Sequence, residues 1–163
     1  MGDSLWALSS LTDLSDEHIQ GVMMQGLIVQ LCKHMLSDNL HLVQPALRTI
    51  GNILTGKQEH VAAALEAGAL DNLVVLAKRG KSFLRKEIMW AMSNICADSE
   101  HAVGEFVRSD AFAITLSMCC DANPDVRREA NFAVVNALTT GEGAHVLHMM
   151  GHESLMGVLV DAL

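Results

Sequence analysis

The sequence repeats itself every 42 residues, and this period limits what the chain can fold into more than any other feature. One polar column contains Ser10, Asn52, Asn94 and Asn136, each 42 residues after the one before. Four residues upstream of each member lies a second column, which contains Trp6, Arg48, Trp90 and Phe132. We call these two columns together the ladder. A repeat of this length predicts a stack of similar units.

Apolar columns run between the ladder positions. They are Leu42, Leu84 and Val126; Ala46, Ile88 and Ala130; Ile50, Met92 and Val134; and Ile53, Ile95 and Ala137. Successive columns are four, four and three residues apart, which is the spacing of an apolar stripe on one face of a helix. The ladder lies off this stripe, so we expect its side chains to face away from the core.

Each unit is predicted to contain three helices. In one unit these span 58–67, ending at Gly68, then 69–79, ending near Gly80, and then 82–98, with Ser82 as N-cap. Gly26 marks the equivalent turn of the preceding unit, while Asp110 and Pro124 mark helix starts in the following one. Two prolines, no tyrosine and four phenylalanines fit an all-α chain.

The period and the three helices are typical of armadillo-type solenoids. We therefore expect residues 1–163 to form one right-handed superhelical solenoid of the armadillo-repeat class. The predicted units are a third helix of a partial repeat (1–14), three full repeats (15–56, 57–98 and 99–140) and a second partial repeat (141–163). In such a stack the third helices line one concave wall, which would place the ladder in a groove.

The residue types of the ladder predict the ligand of this groove. An asparagine amide can bond both the N–H and the C=O of another backbone. Helices stack roughly 8–10 Å apart and an extended peptide advances about 3.3 Å per residue, so each repeat would serve two or three ligand residues. Aromatic faces along the groove leave slots for lysine and arginine. The predicted ligand is an extended basic peptide.

Four segments resemble the third helices of consecutive repeats in the importin-alpha family, the adaptors that carry nuclear localisation signals. They are "LWALSSLTD", "PALRTIGNILTG", "RKEIMWAMSNICA" and "RREANFAVVNALTTG". The family replaces one ladder tryptophan by arginine within a segment like "PALRxxGNIxTG", and Arg48 occupies that position here. The resemblance implies a nuclear import adaptor, present in cytoplasm and nucleus, and places the chain in the C-terminal half of the solenoid, which holds the minor peptide site.

The resemblance also implies roles for individual residues. Asn52, Asn94 and Asn136 would bind the peptide backbone, and Trp90 would form a wall of the cation slots. Ser93 and Glu129 would contact an arginine of the signal, Thr55 would line the lysine pocket, and Trp6 would mark the end of the linker region. Phe132 stands where the family has tryptophan, which keeps a flat face but weakens cation–π attraction. Arg48 is either a groove residue or an ordinary solvated or ion-paired side chain.

The same resemblance sets expectations about partners. The family's segment that docks on importin-beta and the repeats of its major groove are missing, so the chain is expected to be a piece that contacts importin-beta only through a segment missing here. Apolar ends of such a piece predict fraying or end-to-end self-association. The alternative function is a structural or cytoskeletal armadillo scaffold whose groove binds a different chain.

Other features favour plain structural roles. The net charge of −8 disfavours nucleic acid and anionic membranes as partners, and no apolar run is long enough to span a membrane. The basic cluster Lys78, Arg79, Lys81, Arg85 and Lys86 is interpreted as a solvated turn, and Glu87 as pairing within its own helix. His145, His148 and His152 lack metal-like spacing, and Cys32, Cys96, Cys119 and Cys120 are expected to be buried thiols. No cofactor site or catalytic set is predicted.

Overall fold

In the computed structural model, which describes residues 2–161, the chain forms twelve α-helices. Their bounds are α1 Gly2–Thr12, α2 Asp16–Met24, α3 Ile28–Met35, α4 Leu40–Ile53, α5 Gln58–Glu66, α6 Ala69–Lys78, α7 Arg85–Asp98, α8 Glu100–Arg108, α9 Asp110–Met118, α10 Pro124–Thr140, α11 Gly143–Met150 and α12 Glu153–Asp161. A 3-10 turn, Ser82–Leu84, leads into α7. The described residues contain no strand, and the all-α prediction is confirmed.

The helices stack in three parallel rows, because each helix packs on its equivalent in the neighbouring unit. One row contains the first helices α2, α5, α8 and α11, and a second contains α3, α6, α9 and α12. The third row contains the longer helices α1, α4, α7 and α10. Each unit thus buries its apolar faces against its neighbours, which is the arrangement of a solenoid.

Glycines make the tight turns that separate the helices of a unit. Gly26 and Gly68 lie between first and second helices with φ of 66° and 86°, and Gly80 follows α6 with φ of 71°. A side chain at these positive φ values would crowd the backbone, so glycine is favoured there. All three turns agree with the sequence prediction.

The starts of the third helices differ from one another. Asn39 and Asn123 cap α4 and α10 by accepting the backbone N–H groups of His41 and Asp125, and Pro124 takes the first position of α10 as predicted. The N-cap predicted at Ser82 is wrong. Ser82 opens the 3-10 turn and makes no capping bond, so α7 begins three residues later at Arg85.

The core follows the apolar columns closely. Eleven of the twelve predicted positions are buried, and Leu42 alone is partly buried. Its neighbour Val43 is 1% exposed and fills the core instead. The stripe therefore fixes one face of each third helix inward, and the ladder is left on the other face.

Candidate peptide-binding groove

The ladder residues lie side by side along the row of third helices. Trp6 is on α1, Arg48 on α4, Trp90 on α7 and Phe132 on α10. Trp6 and Phe132 are 43% and 52% exposed, which is unusual for large aromatic side chains. The helices carrying them pack in the order α1, α4, α7, α10, so the aromatic faces follow one continuous wall.

Arg48 lies between the two indoles and makes specific contacts. Its Cζ is 5.1 Å from the centroid of the Trp90 ring, within the range of a cation–π interaction. Its Nη1 donates to both carboxylate oxygens of Glu87, at 2.9 and 2.7 Å. The prediction that Glu87 pairs within its own helix is wrong, because its partner comes from the preceding repeat. Arg48 is therefore both ion-paired and a wall of the groove.

Trp90 rests directly on the backbone of the neighbouring helix. A Cβ added to Gly51 of α4 would meet the Cζ3 atom of Trp90 at 2.2 Å and its Cε3 atom at 2.9 Å. No side chain fits in that space, so the missing side chain of Gly51 is what allows the indole to lie against α4. The position of the ring is thus set by Gly51 beneath it and Arg48 over its face.

Each ladder asparagine bonds to the preceding third helix. The Nδ2 of Asn94 donates to the backbone oxygen of Gly51 at 3.4 Å, and that of Asn136 donates to the oxygen of Ser93 at 3.0 Å. The Nδ2 of Asn52 likewise donates to the oxygen of Ser9 at 2.8 Å. The offset is 43 residues in each case. The column therefore has a structural role that the sequence interpretation did not foresee, which is to join consecutive repeats.

The structure places two of the predicted ligand contacts below the groove surface. Asn52 is 2% exposed and also donates to the Oγ1 of Thr12 at 3.1 Å, so its Oδ1 is the group left for a ligand. Ser93 is 5% exposed and donates its hydroxyl to the oxygen of Trp90 at 2.8 Å. By contrast, Asn94 and Asn136 are partly exposed and each spends a single N–H on its neighbour.

A cleft of about 340 Å³ opens beside Asn94, where α4 ends. Its lining comprises Leu54, Thr55, Gly56, Asn94, Ala97 and Asp98. Thr55 is exposed, as its predicted place in a lysine pocket requires, and it donates to the oxygen of Asn52 at 2.7 Å. Asp98 was missed from the sequence, although it stands four residues after Asn94 and so shares its helix face. A carboxylate beside the negative end of α4 makes this cleft suitable for an ammonium group.

A second carboxylate lies near the far end of the ladder. Glu129 precedes Phe132 by three residues on α10, and its side chain is 12% exposed. Its Oε1 is 3.6 Å from the Nη2 of Arg128, an exposed partner on the same turn. Glu129 is thus held close to Phe132 with an oxygen still free to accept a further donor.

Basic residues outside the ladder are largely paired within the protein. Lys78 contacts Asp110 at 2.5 Å, Arg85 contacts Asp121 at 2.8 Å, and Arg79 donates to the backbone oxygen of Leu36 at 3.0 Å. These bonds bridge neighbouring repeats. The solvated turn expected for this cluster is therefore a row of contacts between units.

The titratable groups with shifted pKa values lie away from the ladder. Burial raises the pKa of Cys32 and Cys119 to about 11, and that of Cys96 well above its ordinary value. Cys120 is exposed, so its predicted burial is wrong. A hydrogen bond with Glu142, followed by charge repulsion from it, raises the pKa of Glu100. Residues 2–161 contain no cluster of three potential His, Cys, Asp or Glu metal ligands.

No single helix in the described part of the chain is long and apolar enough to cross a bilayer; α5 and α6 together pass on length and composition but are bent by 63° at their junction.

Known proteins with similar sequences are importin alpha subunits. The chain is 34% identical over 102 residues to importin subunit alpha-1a of Oryza sativa subsp. japonica, and 29% identical over 161 residues to importin subunit alpha-2 of the same plant. These alignments cover 62% and 94% of the chain but 19% and 30% of the relatives. Importin subunit alpha-3 of Arabidopsis thaliana is 38% identical over 89 residues, 54% of the chain and 17% of that relative. The chain therefore spans less than a third of these relatives.

Solved structures with the same fold are armadillo-repeat proteins. A designed armadillo-repeat protein in complex with the peptide (KR)4 superposes with a TM-score of 0.91 at 26% identity, over 98% of this chain and 66% of that one. A second designed armadillo-repeat protein gives a TM-score of 0.91 at 24% identity, with the same coverage of both chains. No family profile matches the sequence.

Proposed function

Because the chain is an importin-alpha-like armadillo-repeat protein, we propose that its ladder groove binds extended lysine- and arginine-rich peptides of the nuclear localisation type. The observation that carries the proposal is the grouping on one wall of Asn94, Asn136, Trp90 and Phe132 beside the carboxylates of Asp98 and Glu129. Backbone-binding amides and cation-binding groups then alternate along the same surface. No chemistry is performed; the groove acts by equilibrium recognition.

The two exposed asparagines fix the peptide backbone. Asn94 and Asn136 each use one N–H toward the preceding helix, which leaves one N–H and the Oδ1 acceptor for a ligand. The same bond holds each amide in one orientation, so little side-chain freedom is lost on binding. Asn52 contributes its Oδ1 alone, so the peptide is gripped mainly along α7 and α10.

Two kinds of cation site lie along this stretch. The cleft at Thr55 and Asp98 has room for a lysine side chain, with the ammonium near the carboxylate. The surface between Trp90 and Phe132 offers aromatic faces to an arginine, with Glu129 as acceptor. A peptide with alternating positions can reach both, since successive side chains of an extended strand point in opposite directions.

A solved relative of the fold supports this ligand class. The designed armadillo-repeat protein that shares the fold was solved with (KR)4, a peptide of the composition proposed here. If the groove of the present chain reads the same chemistry, the chain belongs to a nuclear import adaptor that moves between cytoplasm and nucleus.

The test is a titration of a fluorescent Lys/Arg-rich peptide into the wild-type chain and into an Asn94→Ala, Trp90→Ala double variant. We expect saturable binding that weakens at least tenfold in the variant, equivalent to about 1.4 kcal/mol. Binding should also weaken severalfold as salt rises, because the Debye length falls below about 10 Å above 0.1 M.

The matched control is Asn72→Ala. Asn72 donates to the backbone oxygen of Cys32 at 2.8 Å, so this variant also loses an asparagine bond between repeats, but on the row of second helices. It should bind like wild type. Equal losses in both variants, or no saturable binding by wild type, would refute the proposal and leave a scaffold with a different partner.

A further inference from the structure

The slot between Trp6 and Trp90 already contains a cation, which is the guanidinium of Arg48. It lies 5.1 Å from the Trp90 ring centroid and donates to both oxygens of Glu87. An aromatic face combined with a carboxylate is the recognition chemistry proposed above for an arginine of the peptide. In this slot the protein supplies both the site and its occupant.

We propose that Arg48 is a resident cation that fills this slot and ends the cation-binding part of the groove at Trp90. The inference rests on the proposed function, because it states which part of the groove reads basic residues. Arg48 is then a specificity-determining residue, and the peptide residue that lies against it is not lysine or arginine.

The contacts of Arg48 explain why a peptide cation gains nothing there. Glu87 has both oxygens engaged by one nitrogen of Arg48, and the ion pair is partly buried, with side chains 43% and 23% exposed. Arg48 also covers one face of the Trp90 indole. A second cation entering the slot would find the carboxylate neutralised and that aromatic face covered.

The space that remains has a cationic wall. A cleft of about 200 Å³ beside the pair is lined by Trp6, Gln44, Arg48 and Glu87. An incoming lysine or arginine would approach the guanidinium within a few ångströms, and like charges repel at that distance. The cleft accepts a neutral side chain against the Trp6 ring. The basic motif of a ligand is therefore limited to the stretch served by α7 and α10.

The first test compares peptides that differ by one arginine. A short Lys/Arg peptide flanked by alanines is compared with two versions that carry one extra arginine on either side, using wild type, Arg48→Gln and Lys81→Gln. Lys81 is an exposed loop residue, so Lys81→Gln removes the same charge outside the groove. In Arg48→Gln, one of the two extended peptides should gain about two- to fivefold in affinity beyond its gain in Lys81→Gln.

Arg48→Lys provides a control for charge. It keeps the positive charge but loses the planar group that stacks and pairs at once, so it should show a smaller gain than Arg48→Gln. An identical gain from the extra arginine in all four proteins would overturn the inference while leaving the proposed function intact.

The second test needs no peptide. The chain has two tryptophans, so Trp6→Phe leaves Trp90 as the only source of indole emission. Titration with arginine amide should change this emission saturably in Trp6→Phe/Arg48→Gln and leave it unchanged in Trp6→Phe, because the resident cation has been removed only from the first. Equal responses would overturn the inference. A response confined to the first variant, with no peptide binding by wild type, would support the inference and refute the proposed function.

Discussion

At the scale of single residues, the ladder depends on a glycine that touches no ligand. Gly51 lies in the interior of α4, where glycine costs helix stability relative to alanine. Its value lies in the next helix, because Trp90 occupies the space that a Cβ would need. The aromatic column and the glycine beside it are therefore one unit of structure, although they lie 39 residues apart in sequence.

Gly51→Ala is predicted to destabilise the protein and to displace Trp90. The overpacking cost of roughly 1–3 kcal/mol exceeds the helix gain of roughly 0.5–1 kcal/mol, so we expect a net loss of about 1–2 kcal/mol. Urea unfolding measures the loss, and the emission of Trp90 in a Trp6→Phe background reports the displacement. Gly21→Ala is the matched control, since nothing lies within 4 Å of a Cβ in that helix position. It should stabilise the protein instead, and equal stability of the two variants would contradict this account.

At the scale of helices, a buried histidine closes the start of α5. The Nδ1 of His60 accepts the backbone N–H of Lys57 at 3.1 Å, so Nε2 carries the hydrogen and donates to the Oε1 of Gln20 at 2.7 Å. His60 thus caps its own helix and ties it to α2 in the neighbouring unit. Gly56 leaves room for the ring, since a Cβ there would meet Nδ1 at 2.5 Å.

His60→Ala is predicted to lower the free energy of unfolding by about 2–3 kcal/mol, because a buried donor and acceptor lose their partner and a cavity forms. The matched control is His18→Ala, 42 residues earlier. His18 is exposed and its Nδ1 is 2.9 Å from the Oγ of Ser15, so its loss should change stability by less than about 0.5 kcal/mol. Chemical denaturation of both variants tests the pair, and similar effects at the two positions would contradict it.

The repeat predicts which positions are equivalent, and this is why the core columns agree with the structure. Contacts between repeats follow different offsets. Arg48 meets Glu87 at 39 residues, and Asn136 meets Ser93 at 43. These offsets depend on how helices cross and on side-chain length, which a column of equivalent residues does not contain. The partner of Glu87 and the burial of Asn52 could therefore not be derived from the period alone.

At the scale of the whole molecule, the chain is close to a one-dimensional array. First helices pack on first helices, second on second and third on third, and each contacts mainly its immediate neighbours. Stability in such an array is a sum of unit terms and of terms between adjacent units. A defect should therefore loosen the unit that contains it more than units two positions away.

Phe106→Ala tests this view of the solenoid. Phe106 in α8 is fully buried, with its ring centroid 6.1 Å from that of Phe112, and its truncation should cost about 3–5 kcal/mol. We expect amide hydrogen exchange to accelerate most in α8–α10 and least in α2–α4.

Leu31→Ala in α3 provides the opposite experiment, because Leu31 is equally enclosed, at 1% exposure, but belongs to an earlier unit. Its exchange pattern should be the mirror image, with the largest acceleration in α2–α4. If both variants instead accelerate exchange uniformly along the chain, the repeats melt as one cooperative block. The row-by-row contacts would then transmit a local loss across the whole groove, and a ligand held by α7 and α10 would stabilise every unit equally.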